Sequence, residues 1–161
     1  MDKNIEKLIH SLPIWKDSIN ITTIDGGITN QNFLVQEKSK KFFVRFGNDI
    51  PEHNVSRSNE LMANKAAFEA GVSPAVVYNS KGVLILDYIE GVTLSADGIK
   101  DKLESIIPLL KKIHYEIPKK LYGQSLIFWV FHVIKNYAKF LRDHKSSYSN
   151  LLPDLLSQSA K

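Results

Sequence analysis

The chain has 161 residues, a formal net charge of +4, 43% hydrophobic and 24% charged residues. A single globule of this size can bury roughly 70% of its unfolded surface, so it needs no disulfide or metal to hold it together. With no cysteine at all, disulfide frameworks, thiolate zinc sites, iron-sulfur clusters and cysteine nucleophiles are excluded.

From the N-terminus, MDKNIEKLIHSLPIW carries charges every few residues and no apolar run long enough for a signal peptide, and no later stretch reaches membrane-spanning length. A cytoplasmic protein with no membrane partner is expected. Basic residues are concentrated late: residues 1–90 hold 10 basic and 11 acidic groups, residues 91–161 hold 11 and 6. Only Arg45, Arg57 and Arg142 are arginines, and arginine does most base reading. The lysines therefore read as solvated helix faces and no nucleic-acid partner is expected.

Residues Ile19 to Ile24 alternate in polarity, Asp25-Gly26-Gly27 breaks the run, Asn32 to Gln36 resumes it, and Lys41 to Phe46 forms a third strand after a turn at Glu37 to Lys40. Val55 to Ala70 are helix formers. Gly71 is a natural stop for them and Pro74 prevents continuation. Ala75 to Tyr78 and Val83 to Ile89 make a hairpin about Asn79-Ser80-Lys81-Gly82. Past Glu90-Gly91 the period becomes helical: Leu103, Ile106, Ile107, Leu110, Ile113 and Ile117 recur at steps of three and four, with a kink or break expected at Pro108. A second helix is expected over Phe128 to Leu141, and a last apolar patch follows at Leu151, Leu152, Leu155 and Leu156. The fold class is α+β: a five-stranded antiparallel sheet with one helix over residues 1–90, then helices over residues 91–161.

Three places could carry chemistry. The segment Gly26-Gly27-Ile28-Thr29-Asn30-Gln31-Asn32-Phe33 could set backbone N–H groups and polar side chains around a phosphate, although an ordinary hairpin turn uses the same residues. Arg45 lies on the strand face opposite Phe42, Val44 and Phe46 and needs a counter-charge, for which Glu60 in the following helix is the candidate. The third is Leu84-Ile85-Leu86-Asp87-Tyr88-Ile89-Glu90-Gly91, which leaves the sheet for the helices.

In this order the motifs resemble the nucleotide-binding lobe of the protein-kinase-like fold, and more narrowly the choline and ethanolamine kinase family with its aminoglycoside phosphotransferase relatives. The resemblance covers about residues 15 to 115 well. It implies ATP, with Mg2+ in a complete enzyme, and a small alcohol as acceptor. Gly26, Gly27, Thr29, Asn30 and Asn32 would lie at the phosphates, Arg45 would bridge phosphate and Glu60, and backbone atoms of Asp87 and Ile89 would meet the adenine. It implies no role as a base for His114. The family's His-x-Asp catalytic loop and later metal-binding Asp find no match. His10, His53, His114, His132 and His144 all lack Asp at the second following position, so no catalytic or metal-ligating residue is assigned. The expectation is the front part of such a kinase, inactive alone, its helical part incomplete and prone to self-association; the alternative is a noncatalytic nucleotide-binding or interaction module.

Overall fold

A computed structural model describes residues 3–25, 30–123 and 125–159. Helix α1 (Lys3–His10) precedes strands β1 (Ile19–Ile24), β2 (Gln31–Glu37) and β3 (Lys40–Phe46). Helix α2 (Arg57–Glu69) follows, then β4 (Val76–Ser80) and β5 (Val83–Asp87). The remaining helices are α3 (Ala96–Asp101), α4 (Leu103–Glu116), α5 (Val130–Asp143) and α6 (Leu152–Ser159).

The five strands form one antiparallel sheet in the order β1-β2-β3-β5-β4. Alternation in β2, β3 and β5 sends Phe33, Val35, Phe42, Val44, Phe46, Val83 and Ile85 to one face, where Ile9 and Leu12 close the core over them. Trp15 packs edge-on against Phe42, with ring centroids 5.4 Å apart, and donates its indole N–H to the Ile9 carbonyl at 2.6 Å. The opposite face carries Asn32, Arg45 and Leu84 in register across β2, β3 and β5. On that side α2 meets β4 and buries Ala66 and Ala70.

Helix α2 ends where the sequence says it should. Gly71 takes φ +67°, and the amides of Gly71 and Val72 bond back to Phe68 and Ala67 in the double closure that glycine favours at a helix end. At its start, the Ser56 hydroxyl accepts the Asn59 amide at 3.4 Å. The hairpin is tighter than expected, since Asn79 and Ser80 pair with Leu84 and Val83 and leave Lys81-Gly82 as the turn, with Gly82 at φ +75°. Pro108 breaks nothing: α4 runs through it and forgoes only the hydrogen bond that a proline cannot donate. No described helix is long and apolar enough to cross a membrane.

Candidate nucleotide site

Arg45 points from near the C-terminal end of β3 toward the first turn of α2. Its Nη1 donates to Glu60 Oε1, its Nε donates to Asn32 Oδ1 at 3.3 Å, and its guanidinium lies 5.1 Å from the Phe43 ring centroid. The pair required by charge matching is therefore made, but Glu60 has a second partner. Arg57 Nη1 donates to Glu60 Oε2 at 2.8 Å, so each carboxylate oxygen holds one guanidinium. Burial alone would raise the Glu60 carboxyl. The hydrogen bonds and charges of Arg45 and Arg57 outweigh it and hold the group below the usual carboxylate range.

Arg57 is anchored along its length. Its amide donates to Asp49 Oδ1 at 2.6 Å and its Nε to the Asn48 carbonyl at 3.0 Å. Both that residue and Asn30 crowd Gly47, where a Cβ would sit 2.5 Å from Asn30 Oδ1 and 2.6 Å from Arg57 Nη2. Only glycine fits there. Asn30 Oδ1 and Arg57 Nη2 are the described buried side-chain atoms without a hydrogen-bond partner. A cavity of about 630 Å³ opens over Arg45, Arg57 and Glu60 and is bounded by the β4–β5 turn.

Asp87 closes β5 at the other end of the sheet. It donates its amide to the Ala75 carbonyl at 3.0 Å, and Tyr88 donates to Lys41 at 3.2 Å. Ile89 is exposed and makes no hydrogen bond among the described residues. The exit from the sheet is clamped by Lys41, which donates to Glu90 at 2.5 Å and lies 5.9 Å from the Tyr88 ring centroid. Neither Asp87 nor Ile89 lines the arginine cavity. Gly26, Gly27 and Thr29 lie outside the described residues; the structure brings together Asn30, Asn32, Arg45 and Glu60, with Asp87 three strand positions away and Ile89 beyond the end of β5.

Sequence reasoning missed Arg57 and Lys41. A signal existed for the first, because Arg57 stands three residues before Glu60, a spacing that puts both on one helix face. Lys41 and Glu90 are 49 residues apart and gave none. Trp129 and Phe131 are exposed, while Tyr137 meets His53 Nδ1 at 2.8 Å and ties α5 to the short turn Pro51–His53.

No family model matches the chain. Protein LicA of Haemophilus influenzae is 28% identical over 148 residues, covering 89% of this chain and 42% of that protein. An ethanolamine kinase of Plasmodium vivax superposes with a TM-score of 0.59 at 20% identity, over 79% of this chain and 38% of its own. A choline kinase of Cryptosporidium parvum gives 0.59 at 16% identity, over 95% and 49%. The fold is choline/ethanolamine kinase-like. The choline kinase LicA of Streptococcus pneumoniae agrees, at a TM-score of 0.52 and 22% identity over 92% of this chain and 57% of that one. The chain thus spans less than half of the curated relative and 38 to 57% of these solved kinases. Coverage of 79 to 95% of this chain runs past Asp87, so the kinase-like match takes in helices as well as the sheet.

Among the described residues no three His, Asp or Glu side chains gather where they could hold a metal ion. The described part of the site presents the guanidinium groups of Arg45 and Arg57 and the side-chain amides of Asn30 and Asn32.

Proposed function

We propose that this chain is the nucleotide-binding front part of an ATP-dependent kinase that transfers the γ-phosphate to a small alcohol such as choline or ethanolamine. The observation that carries the reading is the spacing along the sheet. Arg45 pairs with Leu84 and Phe42 with Asp87, so the arginine site and the free backbone at the sheet exit are three residues, about 10 Å, apart. That matches the reach of an extended nucleotide from base to outer phosphates. Bound this way, the base would meet the Asp87 carbonyl and Ile89 amide, and Arg45 would spread positive charge over the phosphates while Asn32 fixes its plane. Thr29, Asn30 and the glycines at 26 and 27 would close over the same phosphates. Mg2+ would bring charge neutralisation, for which these residues offer no ligand set.

The test is a titration with a fluorescent ATP analogue, with and without Mg2+. Saturable binding that Mg2+ changes little, and that Arg45→Met weakens at least tenfold, is expected; no binding, or binding indifferent to Arg45→Met, would overturn the proposal. A second reading, a noncatalytic nucleotide-binding or interaction module, is favoured by one observation: none of the five histidines begins a His-x-Asp sequence. Phosphoryl transfer to choline, ethanolamine or an aminoglycoside by the purified chain separates the two. Turnover above background would eliminate the second reading; none is expected from these residues alone.

A further inference from the structure

Two arginines on one glutamate is one more than charge balance requires, and the two are held very differently. Arg57 has every nitrogen either bonded or enclosed: amide to Asp49, Nε to Asn48, Nη1 to Glu60, Nη2 buried against Gly47. Arg45 uses Nε and Nη1 and lines the cavity, while its Nη2 has no hydrogen bond among the described residues and is not one of the buried unpartnered atoms. Glu60 thus sits between a locked cation and one with donors to spare.

We propose that Arg57 is a positioning residue: its fixed hydrogen bond makes it the standing counter-charge of Glu60, which leaves Arg45 able to share its guanidinium with a bound phosphate. This rests on the nucleotide reading given above. Without Arg57, an anion drawing on Arg45 would leave Glu60 half-buried beside a weakened partner, and protonation of the carboxyl would remove the group that aims Arg45. With Arg57 in place, Glu60 Oε2 keeps its own donor whatever Arg45 does. The same guanidinium sits against Gly47 on the side where Asn30 leaves the phosphate-loop segment, so it also backs that end of the loop. Other charged groups around the cavity are Asp49, already engaged with the Arg57 amide, and Lys81 in the β4–β5 turn.

The experiment follows the Glu60 carboxyl by carbon NMR, assigned with Glu60→Gln, in the unaltered chain and in Arg45→Met, Arg57→Met and Arg57→Lys, alongside ATP affinity. In Arg45→Met, Glu60 should still titrate below the ordinary carboxylate range. In Arg57→Met it should titrate higher, and ATP affinity should fall about tenfold at pH 7 and further toward pH 5. Arg57→Lys, which keeps the charge, should restore the low titration and most of the affinity. Equal titration of Glu60 in both methionine variants would refute the role given to Arg57, and a lysine variant as impaired as the methionine one would assign it to packing instead. The NMR arm needs no ligand: failure of the unaltered chain to bind ATP would overturn the nucleotide reading and the phosphate step with it, whereas normal binding with the wrong titration order would overturn this inference alone.

Discussion

Replacing Glu60 by Gln removes one charge and changes almost no volume. One amide oxygen can still accept from one guanidinium, but the NH2 must face the other, donor against donor. Side-chain exposure is 17% for Glu60, 17% for Arg57 and 27% for Arg45. Hydrogen bonds to charged groups contribute about 1.5–3 kcal/mol, and stripping one partner from a fully buried pair costs about 3–5 kcal/mol. Partial exposure places this cluster between those ranges, at about 2–3 kcal/mol. For a chain of this length that lowers the melting temperature by roughly 5–10 °C. The pH dependence has a definite sign. The Glu60 carboxyl is depressed in the folded state, so its stabilisation is fully present above the unfolded carboxyl's range and is lost as pH falls through the folded value. Urea unfolding of both proteins across pH 3 to 7 should therefore show a gap that is widest at neutral pH and closes in acid. A gap under about 0.5 kcal/mol at pH 7, within the usual range for an inconsequential surface change, or one that does not vary with pH, would refute the argument that this carboxylate joins two charges.

Gly47→Ala should destabilise the chain by about 1–3 kcal/mol in the same urea assay, because its Cβ would meet Asn30 Oδ1 at 2.5 Å and Arg57 Nη2 at 2.6 Å; an unchanged midpoint would mean that both side chains move away freely. Gly71→Ala should cost about 1–2 kcal/mol through the left-handed φ of +67° alone, since the nearest atom to its Cβ would be the movable Lys112 Nζ at 3.1 Å. Leu126, Ile127, Phe128, Trp129, Val130 and Phe131 form an exposed apolar run that should drive concentration-dependent association in light scattering. Phe128→Ser with Trp129→Ser should reduce it, and equal scattering by both proteins would acquit this run.

The sheet was legible because its strands are written in period two: Phe42, Val44 and Phe46 against Phe43 and Arg45 indicate which way β3 faces, whereas the β4–β5 register was not legible, since Asn79 and Ser80 read as turn residues and pair instead with Leu84 and Val83. Helix α2 was legible from Gly71. Helix α1 was not predicted, since its charges were read only against a signal peptide, although Ile5, Ile9 and Leu12 recur at helical spacing and pack on the core. At the site, Arg45 and Glu60 could be paired by charge and order. The division of Glu60 between two arginines could not, because it depends on Gly47 letting Arg57 lie flat across the end of β3. The contact of Tyr137 was not legible either, because its partner His53 lies 84 residues away.

Among the described residues β1 lies at a margin of the sheet, paired with β2 alone. Along that margin Ile19 to Ile24 reads Ile-Asn-Ile-Thr-Thr-Ile, without a charge, a proline or a glycine. Strand margins are ordinarily protected by a lysine, a bulge or a covering element. Among the described residues no strand pairs with its outer side, and a β-prone, neutral stretch in that place has the profile of a segment that recruits a further strand. Side-chain association through the apolar run that leads into α5 and backbone addition along β1 are thus two separate expectations for this chain. They would differ in outcome: the first would give reversible oligomers that dissolve on dilution, the second a growing cross-strand ladder that does not.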